Sequence, residues 1–198
     1  MKSLTILVAL ILSIVIAKPA RADSSIDQFA QCLVAFDPAR MRDWIDWDGP
    51  GLIYKEMPAI AERSDCERDF KLEYWNFRGA LAEALLKKQL SGVAIPDLAN
   101  APPVTDIDMA LAWGNNDGRR NMLLNVYSEC LVRRSSKMAF GLLMTYHDSN
   151  DEKSAFRALQ ADDSGCRKLA GDFRPGRANG ILRARVALAF FRTAEKTK

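Results

Sequence analysis

The sequence predicts an all-α protein of two similar helical lobes, each stapled by a disulfide and joined by a Pro-containing connector. Three observations predict it. Apolar residues recur at steps of three and four, and no convincing alternating strand run interrupts them. Four cysteines follow an apolar leader, an even set in a chain bound for an oxidising compartment. The second half of the chain also repeats the order of landmarks found in the first.

Residues 1–22 read as a cleavable signal peptide. Lys2 supplies the charged start, Leu4 to Ala17 form a 14-residue apolar run, and Ala20-Arg21-Ala22 gives a small-x-small cleavage pattern. At helical rise the run covers about 21 Å, short of the roughly 30 Å hydrocarbon core of a bilayer. Cleavage after Ala22 would place the protein in the periplasm or outside the cell. Lys2, Lys18 and Arg21 account for the whole excess of 28 Lys+Arg over 25 Asp+Glu, so residues 23–198 are neutral. Bulk charge therefore excludes nucleic acid as a partner. No other apolar run approaches spanning length, so no transmembrane segment is expected after signal removal.

The first lobe is expected over residues 23–92. Ile26, Phe29, Leu33 and Phe36 form one helical stripe, and Asp37-Pro38 reads as an N-cap followed by Pro at the first helical position. Phe70, Tyr74, Phe77, Leu81 and Leu85 form the stripe of a long helix beginning near Cys66 and closed by Ser91-Gly92. Residues 93–105, with Pro96, Pro102 and Pro103, form the connector. The second lobe occupies residues 106–198 and ends on a helix with the stripe Leu182, Val186, Phe190. Ser24…Asp27, Ser64…Glu67, Thr105…Asp108 and Ser149…Glu152 each fit the capping box that opens a helix.

The repeat selects the disulfides. Phe29-Ala30-Gln31-Cys32-Leu33-Val34 aligns with Tyr127-Ser128-Glu129-Cys130-Leu131-Val132, and the next cysteines follow 34 and 36 positions later. Beyond them, Asn76-Phe77-Arg78-Gly79-Ala80-Leu81-Ala82 aligns with Ile181-Leu182-Arg183-Ala184-Arg185-Val186-Ala187 after a five-residue insertion. Each copy should then close on itself, Cys32 with Cys66 and Cys130 with Cys166. Zinc is the weaker reading, because the cysteines are widely spaced and the chain has one histidine. Charge divides between the copies as well: residues 23–105 hold 14 acidic and 9 basic side chains, and residues 106–198 hold 11 and 16. Opposite charges would dock the lobes or give each a different partner.

Signals for chemistry are few. His147 is the single histidine, and beside Asp148 it reads as a surface or capping group near a helix C-terminus. The acidic segment Asp43-Trp44-Ile45-Asp46-Trp47-Asp48-Gly49 fails as a calcium loop, with Trp44 and Lys55 where carboxylates are needed. Asn115-Asn116-Asp117-Gly118 fails in the same way. Trp44, Trp47 and Trp75 could stack on a sugar, although such indoles more often serve a core. On the last helix Arg183, Arg185 and Arg192 offer a basic face for an acidic partner, the ordinary alternative being a packed helix with a solvated face. No cofactor or metal site is expected.

The paired cysteines, with Arg78-Gly79-Ala80-Leu81-Ala82-Glu83-Ala84-Leu85, resemble uncharacterised exported all-helical proteins of Gram-negative bacteria. The second copy departs from that pattern, with Arg183-Ala184-Arg185 where Arg-Gly-Ala would stand. The resemblance implies a periplasmic setting. The expected function is a non-enzymatic binding or scaffolding module for a protein or envelope component. The alternative is a hydrolase of envelope polymers that uses carboxylates near the Trp-rich acidic segment.

Overall fold

A computed structural model describes residues 25–46, 50–66, 74–112, 116–161, 163–171 and 179–197. The leader with its cleavage site, Ser24, Trp47, Asp48, Glu67, Phe70, Arg174, Arg177 and Lys198 lie outside the described residues, and so does the side chain of Trp75. Among the described residues every regular element is an α-helix. They are α1 (Ser25–Phe36), α2 (Pro38–Asp46), α3 (Pro50–Ser64), α4 (Tyr74–Gln89), α5 (Ile107–Ala112), α6 (Asn116–Arg134), α7 (Ser136–Leu143), α8 (Asn150–Gln160), α9 (Ser164–Leu169) and α10 (Asn179–Glu195).

Local chemistry fixes most of these ends. Asp37 caps α2, its Oδ1 accepting from the Arg40 amide at 3.0 Å, and Pro38 occupies the first helical position, where its missing N–H costs nothing. Gly92 follows α4 at φ 72°, the left-handed region that a glycine enters without strain. Ser149 Oγ accepts from the Glu152 amide at 3.0 Å, and Glu152 Oε2 accepts in return from the Asp148 amide at 2.8 Å. That capping box is as expected. Two other expected starts are corrected. Ser64 ends α3, its hydroxyl turning back to the Ala61 carbonyl at 3.1 Å, and α5 is capped by Asp106, not Thr105. Short polar side chains bond local backbone at either end of a helix, so the pattern alone does not give the end.

Both disulfides form as the repeat requires, Cys32 with Cys66 and Cys130 with Cys166. At the centre α4 packs along α10; α1 and α2 lie against α4, and α6 and α7 against α10. A methyl group on Gly79 would overlap the Cα and Cβ of Ala184, so the two helices meet backbone to backbone at aligned positions. The core repeats too. Phe29, Leu33, Trp44, Ile45, Met57, Ile60, Leu81 and Leu85 are buried, and so are their counterparts Tyr127, Leu131, Leu142, Leu143, Phe156, Leu159, Val186 and Phe190. The connector is packed, with Leu98 and Ala101 buried and the amides of Val104 and Thr105 both donating to Glu129 at 2.8 Å.

Candidate functional site

The basic face expected on the last helix points inward. Arg183 and Arg185 are each 1 % exposed, and Arg192 is half-buried with its guanidinium on the Ile45 carbonyl at 3.0 Å. The reason is packing on more than one side. With α4, α6 and α7 around it, α10 buries an unbroken run from Leu182 to Leu188 and has no broad solvated face there. A guanidinium in that run must find partners within the fold, because an unpaired buried charge is very costly.

Arg183 finds them across the two halves of the chain. Its Nε and Nη2 donate to Glu83 at 2.9 and 2.6 Å, and its Nη1 donates to Glu152 and to the Thr145 hydroxyl at 3.0 Å each. Nη2 also reaches the carbonyls of Leu143 and Thr145 at 3.0 and 2.9 Å. These carbonyls lie at and just beyond the C-terminus of α7, where the helix dipole favours a cation. The aligned Arg78, equally buried, donates to the carbonyl of Ile45, the counterpart of Leu143 near the end of α2. Sequence alignment alone pairs these arginines; the structure shows that each ties a long helix to the end of an aligned helix of its own half, α2 for Arg78 and α7 for Arg183.

His147 belongs to the same cluster and is corrected from a surface group to a half-buried one. Its Nε2 lies 3.0 Å from Asp27, and its Nδ1 lies 3.8 Å from Glu152. Burial works against the charged imidazole, but the contact with Asp27 prevails and holds its pKa above the ordinary 6.5. Lys87 completes the cluster at 2.7 Å from Glu83. With the imidazole protonated, the three cations Arg183, Lys87 and His147 balance the carboxylates Asp27, Glu83 and Glu152. A cavity of about 210 Å³ adjoins the cluster, between Asp27, Gly79, Glu83 and His147.

The Trp-rich acidic segment does not form a sugar platform at Trp44, which is fully buried and directs its Nε1 to Glu56 at 3.3 Å. Asp43 is exposed beside Arg40 at 3.8 Å. Asp46, exposed at the end of α2, has its pKa raised above the ordinary 3.8 by partial desolvation, which outweighs the nearby Arg192 guanidinium. Among the described residues no His, Cys, Asp and Glu side chains gather into a metal cage, and no helix is long and apolar enough to cross a membrane.

The two halves differ most in the groove beside the central helices. In the first half Asp27, Gln31, Ala80, Glu83, Ala84 and Lys87 meet along α1 and α4 with no room for a water molecule between them. The same residues also border open space on either side: Gln31, Ala84 and Lys87 line a shallower depression of about 440 Å³ with Lys88 and Tyr146, and Asp27, Ala80 and Glu83 line the 210 Å³ cavity beside His147. The aligned positions in the second half are Asn125, Glu129, Arg185, Leu188, Ala189 and Arg192. All six line one cavity of about 490 Å³ between α6 and α10, roofed by Val104, Thr105, Asp106 and Met109. Leu188 replaces the carboxylate that Lys87 bridges in the first half, and Arg192 Nη2 donates to the Ile45 carbonyl at 3.0 Å. The sequence flagged Arg185 for the wrong reason and missed the groove altogether. Compared with known protein families, curated proteins and solved structures, the chain matches none.

Proposed function

We propose that the chain is an exported, non-enzymatic binding module of the periplasm whose binding site is the groove between α6 and α10. One observation carries this reading: in the first half the six aligned groove positions are divided between two spaces of about 210 and 440 Å³ by the ion pair of Lys87 with Glu83, whereas in the second half all six line one cavity of about 490 Å³. That volume lies within the range of small-molecule sites, roughly 300–1,000 Å³. Its lining of Met109, Met122, Leu188 and Ala189 with Asn121, Asn125 and Arg185 is the usual composition of such sites, mostly apolar with a few convergent polar groups. The two disulfides fit an oxidising compartment. The charged cluster around Arg183 has its hydrogen bonds inside the fold, as expected of a group that locks the two halves together.

The test is native mass spectrometry of protein taken from a periplasmic extract. Wild type should carry a non-covalent small molecule that is lost on denaturation. Ala189→Trp, which fills the groove from its partly exposed wall, should fold and emerge without it. Identical spectra for the two proteins would overturn the reading.

A further inference from the structure

The chemistry of the open groove narrows its occupant. Its polar end is Arg185, 1 % exposed, where the first half has Ala80. The guanidinium is held in place, its Nη1 donating to Asn125 Oδ1 at 2.7 Å and its Nη2 to Asn121 Oδ1 at 3.1 Å. Each amide turns its oxygen toward Arg185; the NH₂ of Asn125 points to Met122 Sδ at 4.0 Å, and both asparagines are only partly buried. Asn125 stands where the first half has the carboxylate Asp27, so an acid that would oppose an incoming anion has been replaced by a neutral amide.

The acids that do line the groove are occupied. Both Glu129 oxygens accept backbone amides at 2.8 Å, and Asp106 Oδ1 caps α5 by accepting from the Met109 amide at 3.0 Å. The remaining wall is apolar and adaptable, with Met109, Met122 and Leu188 facing the same space. A fixed cation flanked by an amide donor recognises a carboxylate, and a methionine-rich wall accommodates a short hydrocarbon chain.

We infer that the groove binds a small amphiphilic carboxylate, its acid on Arg185 and Asn121 and its hydrocarbon chain against Met109, Met122 and Leu188. This inference rests on the binding-module reading and specifies the ligand class for the same groove.

Isothermal titration of the disulfide-intact mature chain with sodium octanoate, 1-octanol and octylammonium chloride tests it. Octanoate should bind one per chain, and the alcohol and the amine should bind at least about tenfold more weakly, the size expected for a charge-assisted contact. Arg185→Met should erase that preference. Because Arg185 is buried, Asn125→Asp provides a second variant on a partly exposed residue; it places a carboxylate against the guanidinium and should weaken octanoate by about tenfold or more. Equal binding of alcohol or amine would overturn the inference, as would octanoate binding indifferent to both Asn125→Asp and Ala189→Trp. If no probe binds while the species seen by native mass spectrometry is still lost in Ala189→Trp, the ligand class is wrong and the binding module stands. If that species is missing as well, both fall.

Discussion

The groove of the first half and the groove of the second are built on aligned helices and have opposite fates. Between α1 and α4, Glu83 binds both Lys87 and Arg183, and this balanced set of charges divides the space into two smaller parts. Between α6 and α10, Leu188 takes the place of Glu83 and the space stays open, with a buried guanidinium at Arg185 where the first half has a methyl group. The frame is therefore independent of what fills its grooves. Core positions, disulfides and the helix-end arginines repeat, whereas the groove positions differ: Glu83 bridges Lys87 and Arg183 in one half, and Leu188 and Arg185 line a single cavity in the other.

Substitution of two of the buried arginines, Arg183 and Arg185, should sharpen that contrast most. Arg183→Met leaves Glu83 and Glu152 buried without their main partner and should cost about 3–5 kcal/mol, the usual penalty for breaking a buried ion pair. Arg185→Met removes hydrogen bonds to two partly exposed amides and should cost about 1–3 kcal/mol. Urea denaturation of the two variants measures the gap, and equal losses would break the distinction between a locking and a binding arginine.

A smaller asymmetry sits at the centre of the molecule. Gly79→Ala forces a methyl into Ala184 and should destabilise by about 1–3 kcal/mol through overpacking. Ala184→Gly adds no atoms and should cost about 1 kcal/mol, mainly in helix propensity. Thermal melts that rank the pair the other way would mean that α4 and α10 can separate without loss.

The histidine in the charged cluster that joins the two halves gives the weakest effect and a defined sign. Its pKa is raised in the folded chain, where the contact with Asp27 overcomes burial. The stability it contributes is therefore complete below its unfolded pKa and is lost as pH rises through the folded value. Urea midpoints measured from mildly acidic to mildly alkaline pH should fall more for wild type than for His147→Gln. Parallel curves would place the imidazole outside the cluster.

Much of the frame was legible in the sequence, because heptad-like stripes, the Asp37-Pro38 start and the repeat are local or self-referring signals. The disulfide pairing followed from the repeat alone. The groove was not legible, since burial of Arg183 and Arg185 depends on helices from distant parts of the chain closing around α10. A signal was present in Ala184, Ala187 and Ala189, small residues that permit helices to approach on several sides of a segment that otherwise reads as basic and amphipathic. His147 was misread because its partner Asp27 lies 120 positions away, while the neighbouring Asp148 invited a local reading.

The most direct measurement is a titration of methyl-labelled methionines with octanoate, because Met41, Met57, Met109, Met122 and Met144 sample the regions being compared. Met109 and Met122 line the open groove, Met41 and Met57 are core residues of the first half, and Met144 lines the shallow depression beside α1 and α4. The account predicts saturable shifts at Met109 and Met122 together, with Met41, Met57 and Met144 unmoved. Shifts confined to Met144, or none at Met109 and Met122, would contradict it.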